Sequence, residues 1–124
     1  MIDFERLEVY KYALEFVRQT IPLRETVSKG NGELTDQFRR ASFSVVLNIA
    51  EGAGKVGPAD KQKFYAISRG SAFECAALLD LFHLFGLVND ADHQASKQLL
   101  ERIIAMLSSL CRRGNVQGEG KVHG

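Results

Sequence analysis

The residues best placed to do chemistry are two carboxylate–imidazole pairs, Asp80-x-x-His83 and Asp90-x-x-His93, and a glycine-rich run, Gly52-Ala53-Gly54-Lys55-Val56-Gly57. Positions three apart on a helix share a face, so each Asp would stand beside its His. Di-iron helical bundles use this spacing, together with two further inward carboxylates at matching depth. Glu51 and Glu74 are the available candidates. With Asp80 and His83 they define an alternative reading of the chain as a metal-dependent bundle enzyme. Against it, Asp90 and His93 fall at a helix start, where Asp serves better as a cap.

The glycine run has glycines at the first, third and sixth positions of a dinucleotide fingerprint. Such a loop needs a strand before it and a helix after it, so that backbone amides converge on phosphate. Here the glycines end a helix, and no Ser or Thr follows Lys55, as the Walker form requires. The run therefore reads as a linker. No Ser or Cys has a His and an acid arranged to activate it, and His83, His93 and His123 are the whole stock of imidazoles. Cys75 and Cys111 lack any Cys-x-x-Cys or Cys/His spacing and read as buried reduced thiols. The sequence predicts no enzyme, no cofactor and no metal.

Charge is more informative. From Gln37 to Phe73 the basic residues Arg39, Arg40, Lys55, Lys61, Lys63 and Arg69 outnumber Glu51 and Asp60, for a formal charge of +4. From Glu74 to Glu101 the acids Glu74, Asp80, Asp90, Asp92 and Glu101 face Lys97 alone, for a formal charge of −4. A net charge of +1 excludes a surface tuned throughout to a polyanion. A local basic rim built from those six residues is the candidate site for RNA, DNA or an acidic protein. The plainer reading is that the charges pair and solvate helix faces.

These side chains need helices to position them. The 124 residues, 45% hydrophobic and 25% charged, suit one domain with a real core. No apolar run approaches the roughly 20 residues of a membrane span. Met1-Ile2-Asp3-Phe4-Glu5-Arg6 lacks the basic-then-apolar start of a secretory signal, so a cytoplasmic location is expected. Phe4, Leu7, Tyr10, Leu14 and Val17 recur at helical steps and predict a first helix over Asp3–Thr20, capped by Asp3. Ile21-Pro22 and Gly30-Asn31-Gly32 mark residues 21–34 as a connector. Thr35 is the expected cap of a second helix running to about Ala53. Pro58 opens a third that ends at Phe85, with Gly86 as its left-handed stop. Asn89 or Asp90 caps a fourth, whose stripe of Leu99, Ile103, Met106 or Leu107, and Leu110 ends at Gly114. The expected fold is an all-α, antiparallel up-down-up-down four-helix bundle over residues 1–114, with a flexible Gly-rich tail over 115–124.

Two helices carry more apolar surface than one small bundle hides. Helix two has Phe38, Ala41, Val45 and Ile49 on one face, and Phe43, Val46, Leu47 and Ala50 around the other. Helix three adds a small-residue band, Ser68, Gly70, Ser71, Ala72, Ala76 and Ala77, and a crowded apolar end from Leu78 to Phe85. A four-helix bundle of this size has no central helix. Self-association through Phe43, Val46, Leu47 and Ala50 is therefore expected.

Gln37-Phe38-Arg39-Arg40-Ala41, Ser44, Asn48-Ile49-Ala50-Glu51-Gly52, Phe64-Tyr65, Ile67, Gly70-Ser71 and Glu74 together resemble a known family. It comprises the four-helix bundle proteins first noticed as products of intervening sequences inside bacterial 23S ribosomal RNA genes. The likeness covers Phe4 to about Leu110. It implies a four-helix bundle assembled as a ring-like homopentamer, with no catalytic residue. A more distant branch, the accessory proteins of diversity-generating retroelements, binds a reverse transcriptase and nucleic acid. That branch is markedly basic, and this chain is near neutral. Asn48, Glu51, Gly52 and Glu74 match family motif positions for which the resemblance implies a structural role. Glu51 and Glu74 are expected to pair with Arg39, Arg40 or Arg69, within or between subunits, because lone carboxylates among apolar helix faces are costly.

Overall fold

A short 3-10 helix, Asp3–Arg6, leads into four α-helices: α1 (Glu8–Val27), α2 (Gly32–Gly54), α3 (Pro58–Leu84) and α4 (Asp90–His123). The computed structural model describes residues 2–27 and 29–123, apart from the side chains of Asp3, Arg6 and residues 113–123. No strand occurs among the described residues. The segments 28–31, 55–57 and 85–89 are too short to do anything but turn the chain back, so consecutive helices run antiparallel. α1 and α3 each pack against both α2 and α4, which closes a four-helix bundle. Among the described residues no helix is long and apolar enough to cross a membrane.

Helical spacing of apolar residues builds the core. α1 buries Val9, Ala13, Phe16, Thr20, Leu23 and Val27 at alternating steps of four and three. α2 buries Phe38, Ala41, Ser42, Val45, Ile49 and Gly52. On α4 the buried positions are Ser96, Leu100, Ile103 and Leu107, so Leu107 rather than Met106 completes that stripe. Three rings tie α1, α2 and α3 together: Phe38 lies between Phe16 and Phe82, with centroids 5.9 and 5.5 Å away. Such tilted contacts add to the area the rings bury.

Several boundaries differ from the sequence reading, each for a local reason. α1 continues through Pro22 to Val27, leaving no long connector. Pro22 and Arg18 are exposed, so the backbone bond that proline forfeits faces water. Leu23 and Val27, meanwhile, extend the buried stripe. α1 begins at Glu8, so Asp3 does not cap it. Thr35 sits inside α2, where its hydroxyl donates to the Asn31 carbonyl at 3.0 Å; Asn31 holds the cap position. At the end of α3 the expected stop is present. Gly86 has φ of 73°, Leu87 N–H donates to the Phe82 carbonyl and Gly86 N–H to that of His83. Asn89 caps α4 by accepting from Asp92 N–H at 2.7 Å. The α4 backbone continues past Gly114, and the Gly-rich stretch 115–124 falls among residues whose side chains, or at Gly124 whose placement, lie outside the description.

Candidate functional site

The Asn48-to-Gly52 motif lies along the seam between α2 and α3, the most extensive helix pair. Asn48 Nδ2 donates to the Ser44 carbonyl and hydroxyl at 2.9 and 3.0 Å, and Ser44 Oγ shares a 2.7 Å hydrogen bond with Ser71 Oγ. Deeper in, Ser68 Oγ donates to the Val45 carbonyl at 2.7 Å. Gly52 is buried because Tyr65 occupies the space beside it. Lys61 closes the seam, donating to the carbonyls of Ala53 at 2.9 Å and Gly52 at 3.4 Å, where the negative end of the α2 dipole favours a cation. The small residues of α3 thus divide: Ser68 and Ala72 pack inside the chain, while Gly70 and Ala77 face outward.

Within the chain, among the described residues, neither Glu51 nor Glu74 pairs with Arg39, Arg40 or Arg69. Glu51 meets Lys55 one turn on, at 3.5 Å, and Glu74 accepts from Gln37 Nε2 at 3.1 Å. Both carboxylates are exposed, so the burial that would have demanded an arginine is absent. The same exposure removes them as inward ligands. Among the described residues no group of three or more His, Cys, Asp or Glu could hold a metal ion. Among the described residues no carboxylate is buried in the bundle interior, where a di-iron centre would need four.

The six basic residues do not form one continuous rim. Lys55 and Lys63 lie over the ring of Phe64, at 5.0 and 5.7 Å, beside Lys61 at the turn from α2 to α3. Arg39 sits near the other end of α2, over Phe43 together with Arg24, and 3.9 Å from Asp36. Arg40 lies in an open groove of about 650 Å³ between α2 and α3, whose lining includes Glu33, Asp36, Ser44, Ser71 and Glu74. Arg69 turns toward α4, donating to Ser108 Oγ at 2.7 Å beneath Phe73. The structure therefore gathers Lys55, Lys61 and Lys63 and separates Arg39, Arg40 and Arg69 from them.

At the opposite end of α3 the two Asp/His motifs exchange partners. His83 Nε2 lies 2.6 Å from Asp90 Oδ1, and His93 Nε2 lies 2.8 Å from Asp80 Oδ1. The two imidazoles stack with centroids 4.1 Å apart, and Lys97 donates to Asp80 at 2.6 Å. Lys97, and then His93, hold the Asp80 carboxyl below the usual carboxylate range; His83 does the same for Asp90. Both pairs are equidistant from the Gly86-Leu87 turn, a symmetry that folding α4 back on α3 would have exposed in the sequence. Cys75 is buried and free, and burial pushes its thiol up to about 12.

Of the expected self-association residues, Leu47 is 62% exposed and Phe43 39%, whereas Val46 and Ala50 are half-buried and Val46 packs against the core. On α3 the outward residues include Leu84, 75% exposed, from the crowded apolar end that the sequence marks, and Phe73, 50% exposed, which it does not. Ile67 and Leu81 lie on the same side.

No curated protein matches the chain. A crystal structure of a protein of unknown function from the S23 ribosomal protein family of Bacteroides thetaiotaomicron VPI-5482 shares the fold, with a TM-score of 0.77 at 21% identity. The match covers 83% of this chain and 97% of that one. The family model for the 23S rRNA-intervening sequence protein matches residues 5–109, from the 3-10 helix well into α4. The seam of Asn48, Ser44, Ser71, Gly52 and Tyr65 lies inside that span, and the chain belongs to the 23S rRNA-intervening sequence protein family.

Proposed function

We propose that this protein is a non-enzymatic helical scaffold that assembles with copies of itself into a ring, a homopentamer by family resemblance, and presents basic residues to a partner. The observation that supports assembly is the pair of uncovered apolar faces on α2 and α3. Leu47, Phe73 and Leu84 are each at least half exposed, although the bundle interior is already filled. Apolar surface of this extent marks a contact in soluble proteins. Short-span chemical cross-linking of the purified chain tests it: the expected ladder ends at five chains, and a ladder that ends at one contradicts assembly.

Lys55 and Lys61, at the turn from α2 to α3, are the part of the basic rim that one partner can touch at once beside the apolar faces. RNA or DNA is the first partner to test, and an acidic protein the second. Repetition around a ring would multiply a patch that is weak in one copy. Titration of labelled RNA by fluorescence anisotropy at two salt concentrations tests the rim. Phosphate contacts predict a steep loss of affinity between about 50 and 200 mM salt, and an affinity that hardly changes contradicts them.

A further inference from the structure

The two uncovered faces are unlike each other. On α2, Phe43 and Leu47 project one turn apart. On α3, the exposed Ile67 and Phe73 flank Gly70, three residues to either side, with exposed Leu81 about three turns farther along the helix. Nothing inside the chain explains that glycine. Its φ is not positive, and a Cβ there would meet no atom within 4 Å. Glycine in a helix interior is destabilising relative to alanine, and close approach of another group is a physical reason to keep it there. At Gly52 the chain's own Tyr65 makes that approach; at Gly70 the space opens outward.

Charges frame the two faces in matching order. Arg40 and Glu51 bracket Phe43 and Leu47, eleven residues apart; Lys63 and Glu74 bracket Gly70 at the same separation. Antiparallel placement of α2 from one copy on α3 of another sets Arg40 opposite Glu74 and Glu51 opposite Lys63. Phe43 and Leu47 then lie over Gly70 and Ile67. Inside one chain these charges do not pair in that way: Glu51 meets Lys55, Glu74 meets Gln37, and among the described residues neither Arg40 nor Lys63 has a carboxylate partner.

The register also sets the height of the neighbour. Ser44 with Ser71 and Val45 with Ser68 fix how α3 stands beside α2 within a chain. The charge match between copies falls in that same register, so the second copy stands level with the first. A head-to-tail contact with rotation and no rise closes into a ring, whereas a rise would propagate a filament. Resting on the self-assembling reading above, we infer that the joint between copies is heterologous: the Phe43–Leu47 face of α2 seats antiparallel over Gly70 on α3 of the next copy.

Two variants spoil one face each. Leu47→Glu places a charge on the α2 face, and Gly70→Leu fills the hollow on α3; both positions are open in the single chain. Each variant alone is expected to run at the single-chain mass of 13.8 kDa, with wild-type helical circular dichroism. An equal mixture restores one sound joint, α2 of the Gly70→Leu chain on α3 of the Leu47→Glu chain, and is expected to yield a two-chain species. A variant that alone keeps the wild-type mass, or a mixture that stays at the single-chain mass, overturns the heterologous joint. A wild-type chain that is itself a monomer overturns self-assembly as a whole, so the two failures are distinguishable.

Discussion

Gly52 and Tyr65 share one space: a Cβ on Gly52 would stand 2.7 Å from Tyr65 Cε1, closer than packed carbon atoms tolerate. The Lys61 carbonyl lies 3.3 Å from the same point, so the clash is not relieved by the ring alone. Gly52→Ala is expected to destabilise the bundle by about 1–3 kcal/mol, as overpacking does. Gly70→Ala has no such neighbour and is expected to leave the isolated bundle unchanged or more stable by about 0.5–1 kcal/mol. Urea denaturation of both variants in the Leu47→Glu background, which is expected to stay single-chain, checks the contrast.

Phe38 lies between Phe16 and Phe82 and is fully buried. Phe38→Ala removes contacts to two helices at once and leaves a cavity that their backbones cannot close. The expected loss is about 3–5 kcal/mol. A denaturation midpoint within error of wild type would show that the three-ring cluster does not hold α1, α2 and α3 together.

Acid should loosen the α3–α4 end. Asp80 and Asp90 have folded-state carboxyl pKa values below the ordinary 3.8, because Lys97 and His93 hold the charged form of one and His83 that of the other. The stability they contribute is therefore present above the unfolded value and lost as pH falls through the folded ones. Between about pH 5 and pH 2 the wild type is expected to lose more stability than Asp80→Asn. Thermal melts across that range check it; parallel curves would mean that the crossed pairs contribute nothing.

Burial protects the Cys75 thiol in two ways, by excluding reagent and by raising its pKa to about 12. Iodoacetamide at pH 8 is expected to leave Cys75 unmodified in the native protein and to label it after unfolding. Peptide mass mapping reads the result, and rapid native labelling of Cys75 would contradict its place in the core.

Much of the fold is legible in the sequence because the four helices are strongly periodic. Phe38, Ala41, Val45 and Ile49 point to the buried face of α2, and Gly86 marks the end of α3. Pro22 misleads: proline is a reasonable stop signal, and only the buried Leu23 and Val27 beyond it show that α1 continues. Thr35 misleads similarly, since a threonine can satisfy its hydroxyl within a helix as well as at its start. Glu51 and Glu74 stand among apolar neighbours along the sequence, but helical rotation turns both to water. The exchange of partners between the Asp80/His83 and Asp90/His93 motifs depends on the α3–α4 register, which spacing within one helix does not contain.

The central claim is that the bundle is a subunit. Light scattering coupled to size exclusion, repeated across a dilution series of the wild-type chain, measures this directly. A closed ring predicts one mass, the pentamer multiple of 13.8 kDa, that does not change on dilution. A mass of 13.8 kDa at every concentration would contradict it, leaving the outward faces of α2 and α3 without the role assigned to them.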